Sequence, residues 1–547
     1  MQAVRRLYLY AMSGITLAVI SYGLVLLLRV LLDGVFPDPP FGNSDSSRQQ
    51  LSQAIAMLGV GIPVWAVHWW LVQRSLRPGR PERDAERGSA ARAVYLTFVL
   101  FVSLVLWVIG GVQVLQWAAA TAVNVSAVDY YVDPLGGATL GVVGFVVWLY
   151  HGLVRRRDLA AGPVAGTAAS VPRLYLYGVA IGALWAVLMA LDTVVYALLP
   201  VYPDSSDASP DPYLIGITLN GVAWALVWFG HWTYANRLAR DGGWRGTEER
   251  ISRTRLVAFL VVIIAAAAMT LTRVANAIGA ALDPALPAPP YSVADPAYAP
   301  DFARAILTPL LTAIPWTAVW FAHMRALRRE PAASDPLRAL HQARLVSHGV
   351  AATALAIGAT AAAWLLGYLV DLALGGERAT GPNASTYELR QWLPAAVVGL
   401  AAWWWFWRGV QARRRSEPVD EANSTIRRTF LFLTLGVALV AAIAATAVIL
   451  YRFVGVLLDA GIGGNLASEL STPLGALIVA GAVLAYHGLA LRADQKLATP
   501  SVATEAVADV GIERRAFVLV GPTVDLDAAL AAARAALPAG VEITTDG

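Results

Sequence analysis

The chain has 547 residues, of which 57% are hydrophobic and only 14% are charged. Soluble domains carry about 25% charged residues, so the composition excludes a soluble multidomain protein. Cysteine is absent, which excludes disulfides, thiolate metal sites, cysteine nucleophiles and covalent haem attachment. The net charge of +4 is small, and the basic residues lie in alternate loops. That pattern indicates membrane orientation and does not require nucleic acid as a partner.

Twelve apolar segments reach, or nearly reach, the roughly 17–25 residues that cross a bilayer as a helix. Lipid offers no hydrogen-bond partner to an open backbone, so each segment is expected to be helical. The first apolar run is longer than the core of a signal peptide, and no cleavage site follows it, so we interpret it as the first membrane span. The tenth, residues 392–407, is the shortest. The segments begin near Leu7, Ala54, Ala93, Leu135, Leu174, Tyr213, Leu256, Ala305, Leu345, Trp392, Thr429 and Leu470.

The loops between these segments alternate in charge. Arginine clusters follow the even-numbered segments, and acidic, proline-rich stretches follow most of the odd-numbered ones. Basic loops remain on the cytoplasmic side of a membrane, so both termini are predicted to be cytoplasmic. The basic loops contain Arg74, Arg77, Arg80, Arg83, Arg87, Arg155, Arg156, Arg157, Arg237, Arg240, Arg245, Arg250, Arg325, Arg328, Arg329, Arg338, Arg408, Arg413, Arg414 and Arg415. The acidic ones contain Asp38, Asp45, Asp129, Asp133, Asp204, Asp207, Asp211, Asp295 and Asp301.

Short strings recur along the chain. RLYLY occurs at residues 6–10 and 173–177, and YHGL occurs at residues 150–153 and 486–489. The marks indicate a two-helix hairpin in two alternating versions, and therefore a four-helix unit repeated three times. The predicted fold is an all-α polytopic membrane bundle of about twelve transmembrane helices, arranged as six hairpins. Its predicted units are residues 1–160, 172–335 and 343–497.

The RLYLY opening, with a WxxHW-type end to the next helix, resembles the bacterial membrane family known as domain of unknown function 5671. The resemblance is clearest around residues 5–75 and 172–238. It implies a multi-pass membrane fold, and we predict that the chain lies in the cytoplasmic (inner) membrane. It implies no activity.

The carboxyl-terminal residues 501–547 differ from the rest in being soluble in character. Residues 517–520 are predicted to form a strand, 525–537 a helix that Pro538 and Gly540 end, and 541–544 a second strand. The prediction is a small βαβ-like cytoplasmic tail, too short to bury a core of its own.

Histidines near the ends of the even-numbered segments share a helix face with a tryptophan three residues earlier. We interpret these residues as interface anchors, because indole and imidazole combine an apolar body with a polar tip. The alternative is a ring of imidazoles that binds metal or haem or relays protons. In the tenth segment, Trp404 and Trp407 are expected in the same register. The predicted anchors are Trp65, His68, Trp148, His151, Trp228, His231, Trp320, His323 and, without the tryptophan, His487.

Four charged residues lie inside the predicted spans. Arg29 and Arg452 are near the outer interface and are expected to extend outward to it. Asp192 and Arg273 lie deeper, where charge is costly, and are predicted to form an intramembrane polar pair. The pair is either a structural ion pair or part of an outward-facing polar site.

Three classes of function compete. A structural or interaction module without turnover is favoured, with the lipid bilayer as partner and protein partners unidentified. A transporter or channel for an unidentified solute is the alternative, although repeats of equal orientation disfavour the inverted-repeat mechanism. A membrane-embedded enzyme is the third class and the least favoured one, because the chain has no phosphate loop, HExxH or GxSxG motif. We expect no catalytic residue, cofactor or metal site.

Overall fold

The computed structural model describes residues 2–36, 44–123, 133–162, 166–199, 212–286, 301–330, 336–376, 387–458, 465–497 and 530–531. Residues 2–497 of this set contain fifteen helices, all in the unit Met1–Gln495, and no strand. The predicted βαβ-like tail lies outside the described residues, except for Leu530 and Ala531, which are helical.

Twelve of these helices are long, and three are short connecting helices. The long helices are α1 (Gln2–Val35), α2 (Ser44–Ser75), α4 (Ala90–Ala122), α5 (Pro134–Ala160), α6 (Thr167–Leu198), α7 (Pro212–Arg240), α9 (Arg253–Ala281), α10 (Phe302–Arg329), α11 (Pro336–Ala373), α12 (Tyr387–Ser416), α14 (Thr425–Leu457) and α15 (Leu466–Gln495). The short helices are α3 (Arg83–Arg87), α8 (Trp244–Arg250) and α13 (Pro418–Asn423).

Eleven of the long helices in the described part are apolar and long enough to cross a membrane. Helix α12 is the long helix outside that set. It begins with Glu388 and Arg390 and ends with Arg413, Arg414 and Arg415, so its apolar centre is short. This is the segment that the sequence marks as the shortest.

The long helices pack extensively in successive pairs: α1 with α2, α4 with α5, α6 with α7, α9 with α10, α11 with α12 and α14 with α15. Glycines allow the closest approaches. A Cβ on Gly110 of α4 would lie 2.4 Å from the backbone of Gly141 on α5, and a Cβ on Gly399 of α12 would lie 2.4 Å from that of Gly358 on α11. Close backbone approach at small residues is the usual way in which helices associate in lipid.

We refer to helices α1–α5, α6–α10 and α11–α15 as the first, second and third helix groups. Helix α4 contacts α6 and α7, and α9 contacts α11 and α12, so the groups join in chain order. The largest buried cluster lies in the second group around Phe259, Ile263 and Trp316. Large apolar side chains such as Phe98, Leu226 and Trp405 are exposed. An exposed apolar surface of this kind suits contact with lipid.

Candidate functional site

The short helix α3 places a buried carboxylate against the beginning of α1. Glu86 is 6% exposed and accepts a hydrogen bond of 2.8 Å from Arg6 Nε. Its other oxygen accepts one of 2.7 Å from the Tyr10 hydroxyl. Arg6 and Tyr10 are the first and last residues of the RLYLY string, so one turn of α1 presents both donors to the same carboxylate.

A second ion pair meets the same tyrosine. Arg92 lies in the first turn of α4, whose N-terminus is capped by the Ser89 hydroxyl. The Arg92 guanidinium donates to both oxygens of Asp158 on α5, at 2.7 and 3.1 Å, and to the Tyr10 hydroxyl at 3.3 Å. The hydroxyl therefore donates to Glu86 and accepts from Arg92, and it joins four helices through two ion pairs. We call this arrangement the helix-end cluster.

The second helix group repeats the helix-end cluster. Glu249 on α8 accepts from Arg173 Nε at 3.0 Å and from the Tyr177 hydroxyl. Arg255 lies in the first turn of α9. It donates to Glu330 at 2.8 Å and to the Tyr177 hydroxyl at 2.8 Å. Glu330 follows α10 directly, in the place of the carboxylate at the end of α5. The second RLYLY string therefore supplies the same two donors as the first.

The third helix group keeps the ion pairs of the cluster. Glu421 on α13 accepts from Arg344 Nε at 2.7 Å. Arg427 lies in the first turn of α14 and donates to Asp494 on α15 at 2.5 Å. Arg414 also donates to Asp494, at 3.2 Å, so this carboxylate has two arginine partners.

The central hydroxyl is where the third group differs. His348 lies four residues after Arg344, as Tyr10 lies four residues after its own arginine. Its Nδ1 lies 2.8 Å from the Arg344 carbonyl oxygen, within the same helix. Three buried atoms around this position have no hydrogen-bond partner among the described residues: His348 Nε2, Glu421 Oε1 and Arg427 Nη1.

All five predicted anchor histidines bond to their own helix in the same way. Each Nδ1 lies 2.7–3.0 Å from the carbonyl oxygen four residues earlier. A carbonyl only accepts, so Nδ1 carries the proton and Nε2 of the neutral ring is an acceptor. His68 Nε2 then accepts from the Tyr8 hydroxyl at 3.2 Å, and His231 Nε2 accepts from Tyr175 at 3.3 Å. The middle tyrosine of each RLYLY string is thus used as well.

The other three histidines are more deeply buried. His151 Nε2 lies 3.2 Å from the Tyr95 hydroxyl, whereas Nε2 of His323 and of His487 has no partner among the described residues. Within those residues there is no group of three or more His, Asp or Glu side chains that could hold a metal.

The four tryptophans of the WxxH pattern lie among other aromatic rings. Trp65 stacks with Trp69 at 6.1 Å between ring centroids, and Trp148 packs on Trp107 at 6.1 Å. Trp320 stacks with its chain neighbour Phe321. Trp228 is partly buried against two apolar clusters.

Each helix group consists of two hairpins, and a second tryptophan contacts the histidine of the second hairpin. In the first two groups this tryptophan directly follows His68 or His231. Trp69 packs on His151 at 5.7 Å, and Trp232 packs on His323 at 5.0 Å. Trp407 packs on His487 at 5.7 Å, so it corresponds to Trp69. The expected register of the tenth segment is therefore wrong, and Trp404 is 57% exposed. The repeat of the second tryptophan at about 170-residue spacing was the sequence signal that identifies these residues.

The predicted polar pair lies in the second group, in contact with α6, α9 and α10. Arg273 donates to Asp192 at 2.5 Å and to the Tyr196 hydroxyl at 3.0 Å. Trp316 Nε1 donates to Asp192 at 3.2 Å. Asp192 is buried, so the pair faces the protein interior and has two hydrogen-bonding neighbours, Tyr196 and Trp316.

The two outer arginines also have carboxylate partners. Arg29 pairs with Asp133 at 2.5 Å and with Asp33 at 2.9 Å. Arg452 pairs with Glu469 at 3.2 Å. The sequence predicts that both side chains extend outward to the interface. In the structure, Arg29 joins α1 to Asp133 at the start of α5, and Arg452 joins α14 to Glu469 on α15.

The fold and the repeated helix-end cluster define a multi-pass helical membrane protein with an internally repeated pattern of ion pairs. The family described as domain of unknown function (DUF5671) matches residues 6–140 and 344–482, which together make up half of the chain. The chain belongs to this family. The two matches fall in the first and third helix groups, and the second RLYLY string lies outside them. No curated protein and no solved structure matches the chain.

Proposed function

We propose that this protein is a structural or interaction module of the bacterial cytoplasmic membrane, without turnover, built from three copies of one four-helix unit. The observation that carries the proposal is the threefold recurrence of the helix-end cluster. The first arginine and its glutamate are 80, 76 and 77 residues apart in the three groups. The second arginine and its carboxylate are 66, 75 and 67 residues apart.

The use made of charge also supports a structural role. Each buried carboxylate of the helix-end cluster is paired with arginine, and a paired ion inside a protein holds elements together without offering a free group for chemistry. Removal of one partner leaves the other charge buried without compensation, at a cost of about 3–5 kcal/mol.

We also propose that α12 crosses the membrane, which gives twelve spans and two cytoplasmic termini. Its extensive packing on α11 supports this, as does the arginine cluster at its end, which matches the ends of the other even-numbered spans. The absence of cysteine makes a labelling test simple. Single cysteines at Arg80, Arg245 and Arg413 should all be shielded in intact cells from a membrane-impermeant maleimide. Labelling at any one of the three would contradict the twelve-span topology.

The central experiment compares the glutamate of each cluster with a nearby exposed acid. Glu86→Gln and Glu421→Gln should lower the melting temperature of the purified protein, because each leaves an arginine without its carboxylate. Glu249→Gln should lower it less, because Arg173 keeps its ion pair with Glu248. Glu82→Gln and Asp420→Asn are the controls, since both side chains are exposed, and they should leave it unchanged. Unchanged melting in the cluster variants would remove the basis of the structural proposal.

A transporter or channel is the alternative, and the buried Asp192–Arg273 pair is the observation that favours it. Charge inside a membrane protein often marks a pathway for solutes. If the pair is structural, Asp192→Asn or Arg273→Gln alone should destabilise the protein, and replacing both with apolar residues should be milder. A double variant that is stable but loses a measured solute flux in proteoliposomes would favour the transporter.

A further inference from the structure

A cavity of about 380 Å³ lies at the arginine-rich end of the first helix group. The ends of α2 and α5 and the short helix α3 form its walls. Its charged lining consists of Arg83, Arg87, Arg92, Arg157 and Asp158, so cationic groups outnumber carboxylates by four to one. The volume falls within the range of about 300–1,000 Å³ that small-molecule sites occupy.

Only part of this positive charge is neutralised by the protein. Arg92 pairs with Asp158 at 2.7 Å, and Arg87 pairs with Asp84 at 3.1 Å. Arg83 and Arg157 have no side-chain hydrogen bond or ion pair with any other described residue. They are therefore available to a ligand.

Arg87 adds a buried donor. Its side chain is 7% exposed, and its Nη2 donates to the carbonyl oxygens of Asp158 and Gly162 at 3.0 and 2.7 Å. Those two bonds hold the guanidinium in place, and Nε remains buried without a partner in the described structure. Nε2 of Gln73, which also lines the cavity, is likewise buried without a hydrogen-bond partner among the described residues. A buried donor without an acceptor costs about 1–3 kcal/mol.

Counterparts in the other groups lack this feature. Arg250 of α8 stands where Arg87 stands in α3, directly after the cluster glutamate. Its guanidinium donates to the Ala239 and Asp241 carbonyls and to the Thr247 hydroxyl. In the third group the same position is Ala422. An arginine directly after the cluster glutamate with a buried, unpartnered Nε is thus found in the first group, whereas the unpartnered guanidinium atoms of the third group belong to Arg344, Arg413 and Arg427.

We propose that this cavity binds a phosphate-type anion. Unpaired guanidinium groups and buried N–H donors match the several acceptor oxygens of a phosphate, and arginine is the side chain best suited to them. Leu76 and Val154 line the cavity beside the charged groups, which suits a group attached to an apolar body. Basic pockets between helices on the cytoplasmic side of a membrane bind the head groups of anionic lipids. The phosphate belongs either to such a lipid or to a free ion.

The test uses the full chain in a neutral detergent, with three probes: short-chain phosphatidylglycerol, inorganic phosphate and short-chain phosphatidylcholine. Binding is measured by calorimetry and by the melting temperature. Phosphatidylglycerol should bind and raise the melting temperature, and phosphatidylcholine should not. Binding of inorganic phosphate as well would identify the free ion as a sufficient ligand. Binding of phosphatidylglycerol alone would identify the lipid.

The variant Arg83→Gln with Arg157→Gln removes two donors that hold no protein partner, so it should fold normally, as circular dichroism will verify. Its affinity for the anion should fall at least about tenfold. Arg77→Gln with Arg80→Gln is the matched control, since these exposed arginines lie near the same loop but outside the cavity lining. The control should change affinity less than about twofold. Equal losses in both variants, equal binding of the neutral lipid, or no binding of either anion would overturn the proposal.

Discussion

The helix-end clusters of the first and third helix groups differ in one residue at their centre. In the first group, the Tyr10 hydroxyl donates to Glu86 at 2.7 Å and accepts from Arg92 at 3.3 Å. In the third group, His348 takes the place of the tyrosine. The glutamate and the arginine on either side each keep an atom without a partner among the described residues. The ion pairs therefore form without the tyrosine, whereas the hydrogen bonds that connect the two ion pairs require its hydroxyl.

Reach and tautomer together explain why histidine does not replace the phenol. An imidazole is shorter than a phenol, and Nδ1 of His348 is committed to the Arg344 carbonyl. The remaining Nε2 of the neutral ring is an acceptor, so it has no proton to donate to Glu421. A tyrosine hydroxyl donates and accepts at once, which is what a link between a carboxylate and a guanidinium requires.

The third group has stabilising contacts that the first lacks. Asp494 has a second arginine partner, Arg414, at 3.2 Å. Helices α11 and α15 pack extensively on each other, and a Cβ on Gly475 would lie 2.4 Å from the backbone of Gly367. These contacts offset part of what the missing hydroxyl costs.

The largest effect is expected from the second arginine of the cluster. Arg92→Met leaves Asp158 without its partner and should lower the free energy of unfolding by about 3–5 kcal/mol. Arg427→Met should cost less, because Asp494 keeps Arg414. Reversible unfolding of the two purified variants in the same detergent provides the comparison. A larger loss for Arg427→Met would show that the second arginine partner does not compensate.

Removal of the central hydroxyl should have a smaller effect. Tyr10→Phe and Tyr177→Phe each leave one carboxylate oxygen of the cluster without a donor, at a cost of about 1–3 kcal/mol. Both rings are buried, so the phenylalanine fills the same space. Tyr22→Phe changes an exposed ring of the same helix as Tyr10 and is the control. Losses no greater than that of the control would mean that the hydroxyl bonds are not stabilising.

Restoration of the hydroxyl in the third group should stabilise the protein. His348→Tyr supplies a donor for Glu421 and an acceptor for Arg427, and should raise the free energy of unfolding by about 1 kcal/mol. His348→Phe controls for ring size, because Trp407 and Phe430 lie 6.3 and 5.3 Å away between ring centroids. A gain that is equal in the two variants would assign the effect to packing.

The smallest effect is expected at the middle tyrosine of the RLYLY strings. Tyr8→Phe removes the donor to His68 and should cost about 0.5–1.5 kcal/mol, towards the lower end because Tyr8 is 55% exposed. The third group has Val346 in that position. Tyr22→Phe, which changes an exposed ring on the same helix as Tyr8, is the control and should leave the melting temperature unchanged. Melting curves of both variants measure the difference.

Much of the fold could be predicted from composition alone. The length of the apolar segments predicts the spans, because polar backbone is costly in lipid, and arginine in alternate loops predicts the orientation of those spans. The weak tenth segment corresponds to α12, the long helix whose charged ends shorten its apolar centre. The helical pattern could not show which residues meet across 66–80 positions of chain.

The helix-end cluster was only half visible in the sequence. RLYLY repeats twice and marks Arg6 and Tyr10, but Glu86 and Asp158 lie among many other loop charges. Pairing of those acids depends on how four helices come together, which no local pattern encodes. In the third group the corresponding string, residues 344–348, reads RLVSH and shares only its first two residues with RLYLY, so the repeat of the cluster appears only in three dimensions.

The most direct test of this account is a pair of double-mutant cycles on unfolding free energy. One combines Tyr10→Phe with Glu86→Gln, and the other combines His348→Phe with Glu421→Gln. We expect a coupling of at least about 1 kcal/mol in the first cycle and one within about 0.3–0.5 kcal/mol of zero in the second. Equal couplings, or a larger one in the third group, would contradict the claim that the tyrosine hydroxyl joins the ion pairs of the helix-end cluster.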